Sequence, residues 1–178
     1  MTADAPCRFA PDLADLAHRV VETYRAAGLR LITAESCTAG LIGACLAAAP
    51  DSTAVLHGAY VTYCSDLKSE ALGVPADLIR ERTPYDPEVA RRMAQGALDR
   101  SPGVAVALSV TGVGGPDPDL GKPAGLVYIG LVRRGGDTVV EEHRFPGPPD
   151  AVLTATIRAA LSLALAHAPG TGRGAGGS

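Results

Sequence analysis

Residues 104–116 read Val104-Ala105-Val106-Ala107-Leu108-Ser109-Val110-Thr111-Gly112-Val113-Gly114-Gly115-Pro116. The stretch 104–110 is an almost unbroken apolar run, rich in valine and short for a helix. It predicts a central strand covered on both faces. A strand buried on two sides needs helices above and below its sheet, and this one opens onto a loop with three glycines. The fold class follows from whether helices and strands alternate around it.

They do. Residues 12–27 carry Leu13, Leu16, Val20, Val21 and Tyr24 at helical spacing, with Asp12 as N-cap and Gly28 as stop. A short apolar run at 29–33 leads through Glu35-Ser36-Cys37-Thr38 into a helix bearing Leu41, Ile42, Cys45 and Leu46, which Pro50 ends. Residues 54–63 predict a second strand, 65–72 a helix closed by Gly73, and 76–81 another short helix. Asp86-Pro87-Glu88 supplies an N-cap, a proline at the first helical position and an acid in the first turn. Runs 126–133 and 138–144 around Arg134-Gly135-Gly136-Asp137 predict a β-hairpin, and 150–167 a helix apolar almost all round. The pattern is α/β: a three-layer α/β/α sandwich with a mixed sheet. The last helix needs cover on more than one side, so homo-oligomerisation is expected.

The 178 residues predict one domain over 1–169, followed by a glycine-rich disordered tail at 170–178. With 16 Lys+Arg against 19 Asp+Glu and no basic run, nucleic acid is a poor partner. Charged or hydroxyl residues interrupt every apolar stretch before a bilayer's span, and the N-terminus lacks a signal-peptide pattern, so a soluble, cytoplasmic chain without a membrane partner is expected. Cys7, Cys37, Cys45 and Cys64 have no C-x-x-C spacing, which argues against zinc and for reduced, mostly buried thiols.

Two places suit chemistry. Ser36 stands where a strand passes into a helix, where the free N–H groups of a first helical turn near Cys37 and Thr38 suit a developing oxyanion. The simpler alternative is that Ser36 or Thr38 is only a helix cap. Cys37 competes as nucleophile but begins the helix and points toward the core. The histidines offer no base tied to Ser36. Lys68, after Tyr63-Cys64-Ser65-Asp66-Leu67, follows a strand expected beside that of Ser36; a desolvated lysine accepts a serine proton, and Tyr63 can orient it. A solvated Lys68 beside Asp66 and Glu70 is the plain alternative. The second place is the loop of Thr111, Gly112, Gly114 and Gly115 with Lys122 behind it, suited to an anion or to no ligand at all. Neither the Walker nor the Rossmann glycine pattern is present.

Taken together, Thr33-Ala34-Glu35-Ser36-Cys37-Thr38-Ala39-Gly40-Leu41, Gly58-Ala59-Tyr60-Val61-Thr62-Tyr63 with Lys68, Ser109-Val110-Thr111-Gly112-Val113-Gly114-Gly115-Pro116 and Lys122-Pro123-Ala124-Gly125 resemble the CinA C-terminal domain family, which includes nicotinamide-nucleotide amidases. The resemblance covers roughly residues 10 to 167. It implies an anticodon-binding-domain-like fold with a five-stranded mixed sheet, self-association, and hydrolysis of nicotinamide mononucleotide to nicotinate mononucleotide and ammonia. It implies no metal or cofactor, Ser36 as nucleophile, Lys68 as general base and Tyr63 beside them. The N-terminal pyrophosphatase-like domain of larger members has no room in this chain.

The sequence also departs from the family. Ala39-Gly40 stands where two glycines are common, a methyl expected to narrow the space beside the nucleophile. Gly147-Pro148-Pro149-Asp150-Ala151-Val152-Leu153 replaces a Gly-Asp-Arg run followed by another arginine, and Tyr85-Asp86 stands where a serine is usual. Loss of an arginine clamp weakens phosphate binding. A non-catalytic member that binds a ligand or partner, or an amidase for a non-phosphorylated amide, are therefore the alternatives.

Overall fold

The computed structural model describes residues 9–168; Cys7 and the 170–178 tail lie outside the described residues. The chain runs α1 (Pro11–Ala26), β1 (Leu31–Glu35), α2 (Leu41–Ala47), a 3-10 turn (Ser52–Ala54), β2 (Leu56–Val61), α3 (Ser65–Leu72), α4 (Ala76–Arg82), α5 (Pro87–Asp99), β3 (Val106–Gly112), β4 (Leu126–Arg133), β5 (Thr138–Arg144) and α6 (Pro149–Ala166). The five strands form one mixed sheet in the order β2-β1-β3-β4-β5. β1 pairs parallel with both β2 and β3, while β3–β4 and β4–β5 are antiparallel. The α/β class, the mixed sheet and the hairpin agree with the sequence reading.

Alternation along β3 shows how the layers are built. Val106, Leu108 and Val110 point into a core shared with α1, α2 and α6, whereas Ala107 faces the core of α3, α4 and α5. The two polar residues on that second face are satisfied by backbone: Ser109 Oγ donates to Ala90 O at 2.6 Å and Thr111 Oγ1 to Pro84 O at 2.8 Å. A strand buried on both faces can therefore carry hydroxyls without an unpaired donor. It also begins later than its apolar run, at Val106, and extends through Gly112.

Helix starts follow the expected chemistry in one case and not in another. Asp86 Oδ1 accepts from Glu88 N–H at 2.8 Å and caps α5, with Pro87 next. Asp12 does not cap α1; Ala10 holds that position, and Asp12 sits in the first turn, paired with Arg158 of α6.

The apolar character of α6 is met in part within the chain. By length and composition it is the one described helix suited to a bilayer, yet Val152, Ile157, Ala160, Leu161, Leu163 and Ala164 lie in the core with α1, α2 and the sheet. The Tyr24 hydroxyl donates to Ala164 O at 3.0 Å and ties α1 to it. Its exposed residues include Ala151, Arg158, Ser162 and Ala166, and Leu153 and Leu165 are half-buried. The cysteines also depart from expectation: Cys45 is buried, Cys37 intermediate and Cys64 exposed.

Candidate active site

The C-terminal ends of the three parallel strands meet at one edge of the sheet. Glu35 is the last residue of β1, opposite Val61 of β2 and Val110 of β3. The Ser36 N–H donates to Val110 O at 3.1 Å, and Thr62 N–H donates to Glu35 O at 2.8 Å. Ser36 therefore leaves the sheet held between both neighbours. Residues 36–40 form a turn closed by Ala39 N–H on Ser36 O at 2.9 Å, with Ala39 at φ 49° and Gly40 at φ 93°. Helix α2 starts only at Leu41. Cys37 and Thr38 thus lie in the turn before the helix, not in its first turn, and neither Ser36 nor Thr38 caps it.

Glu35 does that work. Its carboxylate is fully buried and accepts four hydrogen bonds: Thr33 Oγ1 at 2.8 Å and Gly43 N–H at 2.8 Å on Oε1, Thr38 Oγ1 at 2.7 Å and Ile42 N–H at 3.0 Å on Oε2. Two of these are the free amides that open α2, and the acceptor-only carboxylate matches four donors. Gly43 permits the approach, since a Cβ there would stand 2.9 Å from Ala59 Cβ and 3.4 Å from Glu35 Oε1. Glu35 fixes the turn that presents Ser36. The sequence reading quoted this residue without giving it a role, and ended the strand at Thr33; the signal was a charged residue continuing an otherwise apolar strand.

Lys68 lies on the inner face of α3, one turn before Leu72, and is 1% exposed. Its Nζ donates to Thr62 O at 2.8 Å and Tyr63 O at 3.3 Å, and lies 2.9 Å from Ser36 Oγ. Burial lowers its pKa from the ordinary 10.5 to about 8, with the Cys37 and Cys64 thiols acting the other way. The solvated alternative for Lys68 is overturned. Two of its three partners are carbonyl oxygens, which only accept; Ser36 alone can donate to it. A neutral Lys68 with its two N–H bonds on those carbonyls directs its lone pair at the Ser36 proton. Tyr63 orients the amine through its carbonyl, while its ring is 70% exposed and lines the cleft. Cys37 is half-buried, and burial pushes its thiol up to about 12, where it is no ready nucleophile.

Two adjoining compartments open in front of Ser36. A polar one of about 200 Å³ is lined by Ser36, Tyr85, Gly112, Val113, Asp117 and Asp119. A more apolar one of about 290 Å³ reaches the start of α6, at Pro149, Asp150, Val152, Leu153 and Thr156. Cys37, Tyr63, Gly114 and Gly115 line both. Gly114 leaves open space where a Cβ would stand, so backbone there is bare to a ligand. Tyr85 donates to Asp119 Oδ2 at 2.5 Å, and burial and that carboxylate raise its pKa.

The remaining expected site residues lie elsewhere. Thr38 is wholly buried on Glu35, Thr111 faces Pro84, and Lys122 bridges to Asp119 through backbone. None of the three lines the cleft. No histidine lines it either. Ala39 is exposed and outside the lining, so its methyl does not narrow the space beside Ser36. Sequence reasoning missed Tyr85 and the acidic pair as cleft residues, because only the fold brings residue 85 to the glycine loop.

The sequence model of the CinA C-terminal domain matches residues 13–167. The chain belongs to the CinA C-terminal domain family. A CinA-like protein of Citrifermentans bemidjiense is 42% identical over 156 residues, covering 86% of this chain and 37% of its own length. The chain spans about a third of the length of the curated relatives it matches. Among solved structures, the competence/damage inducible protein CihA from Agrobacterium tumefaciens superposes with a TM-score of 0.86 at 35% identity, covering 90% of this chain and 98% of that one. The competence damage-inducible protein A (ComA) from Klebsiella pneumoniae does so with 0.84 at 30% identity, covering 87% and 96%. Within this CinA domain, Pro149 and Leu153 line the cleft, and Arg158 is engaged with Asp12.

Proposed function

We propose that this CinA domain is an amidohydrolase in which Ser36 attacks a pyridine carboxamide and Lys68 is the general base. Nicotinamide mononucleotide, the substrate implied by the family resemblance, is the reference compound. The observation that carries the reading is the 2.9 Å approach of a buried Lys68 Nζ to Ser36 Oγ.

Neutral Lys68 takes the hydroxyl proton as Ser36 Oγ bonds to the amide carbon. The oxyanion that forms faces the bare backbone of Gly114 and Gly115 and the turn at Cys37. Lys68 then returns the proton to the amide nitrogen, the C–N bond breaks and ammonia leaves. The acyl ester on Ser36 is cleaved by water, whose proton Lys68 accepts and hands back to Ser36 Oγ, releasing the carboxylate. The free thiols of Cys37 and Cys64 suit a reducing, cytoplasmic setting. Ammonia release from purified protein, lost in Ser36→Ala, tests the reading; equal release by that variant refutes it. The absence of lysine and arginine from the cleft lining among the described residues favours, as a second reading, an amide without a phosphate.

A further inference from the structure

The cleft in front of Ser36 is acidic. Asp117 and Asp119 line its polar compartment and Asp150 its apolar one. Among the described residues, no lysine, arginine or histidine side chain lines either compartment. Of the nearby cations, Arg158 is engaged with Asp12 and Lys68 lies behind Ser36 with its three hydrogen-bond partners, while Lys122, joined to Asp119 through backbone, stands outside the lining. Three carboxylates in a lining without a cation set a negative potential over the entrance, which repels a phosphate and attracts a positive charge. Tyr63 and Tyr85 add two rings, whose faces favour a cation.

We propose that the substrate is a positively charged carboxamide without a phosphate, the class of the N-ribosyl pyridinium carboxamides, with Asp117, Asp119 and Asp150 as the residues that set this preference. The proposal rests on the amidase reading for its reaction and on the lining of the cleft for its specificity. Such a nucleoside carries one positive charge on its ring. The corresponding mononucleotide adds a phosphate of nearly two negative charges at neutral pH, and so reverses the sign of the whole molecule. The carboxamide enters toward Ser36, and the ribose lies in the apolar compartment, where Pro149, Val152 and Leu153 offer a phosphate no donor.

Two measurements separate the proposal from the reading beneath it. The first is kcat/KM for ammonia release from nicotinamide riboside, nicotinamide mononucleotide and nicotinamide. The second is calorimetric binding of the same three compounds to Ser36→Ala, which needs no turnover. The riboside is expected to exceed the mononucleotide by about tenfold in both, with the gap narrowing at high salt because the carboxylates are exposed. Asp150→Asn should shrink the ratio. Pro149→Arg with Leu153→Arg should raise mononucleotide binding. Tighter binding of the mononucleotide to the unaltered lining overturns the proposal. Preserved binding order without ammonia release from any compound supports the proposal and refutes the amidase reading.

Discussion

Lys68 Nζ and Ser36 Oγ stand 2.9 Å apart across 32 residues of sequence, brought together because β1 and β2 are parallel neighbours and α3 follows β2 directly. The other two partners of that amine are the carbonyls of Thr62 and Tyr63. This arrangement gives the amine one place to find a proton, and that place is the proposed nucleophile.

The rate should follow the protonation of Lys68. Its pKa lies at about 8 and the neutral form is the base, so kcat/KM should fall as pH drops through 8 and level off above it. Initial rates of ammonia release between about pH 6 and 10 check this. Stability moves in a linked way. Lys68 titrates at about 8 folded against an ordinary 10.5, so the unfolded chain binds more protons between those values and stability rises with pH across that window. Below pH 8 the buried ammonium costs about 3 kcal/mol.

Lys68→Met should lower turnover by about two to four orders of magnitude, the usual worth of a general base. It removes the cost of a buried charge but strips the Thr62 and Tyr63 carbonyls of a donor, so unfolding free energy should change by less than about 2 kcal/mol. Lys68→Arg should be equally inactive, since a guanidinium does not give up its proton. Turnover by either variant at the parental rate would remove Lys68 from the mechanism.

Glu35→Gln should destabilise the domain by about 2 kcal/mol and lower turnover with it. The four partners of the carboxylate all donate, and two of them are backbone amides that cannot reverse. An amide NH2 in that position must face one of them. Urea unfolding measures the loss.

Much of this architecture was legible. The buried run at 104–110, the cap and proline at Asp86-Pro87 and the hairpin around Gly135 each carry a local signal with a mechanism, and each element formed. The dyad was legible only as two residues that a parallel pairing would unite. Glu35 was not, because a charged residue in a strand reads as its end unless the donors that surround it are known, and those come from Thr33, Thr38, Ile42 and Gly43 after folding. The helix after Ser36 began later than its sequence suggested because Ala39 and Gly40 adopt left-handed backbone. Helix α6 is a related case: periodicity shows that a helix is apolar all round, and not that α1 and α2 lie beside it.

Ala39→Gly should leave turnover unchanged and raise stability by up to about 1 kcal/mol, because the methyl is exposed while the backbone stands at φ 49°. Thermal unfolding together with ammonia release checks both parts. A gain in turnover would mean that the methyl does intrude on the nucleophile.

The most direct test of the dyad is mass spectrometry of enzyme quenched in acid during turnover of a pyridine carboxamide. The account predicts an acyl adduct on the peptide containing Ser36, absent from Ser36→Ala, with that variant releasing no ammonia. Ammonia released by Ser36→Ala at the parental rate, with no adduct on the parent, would contradict it.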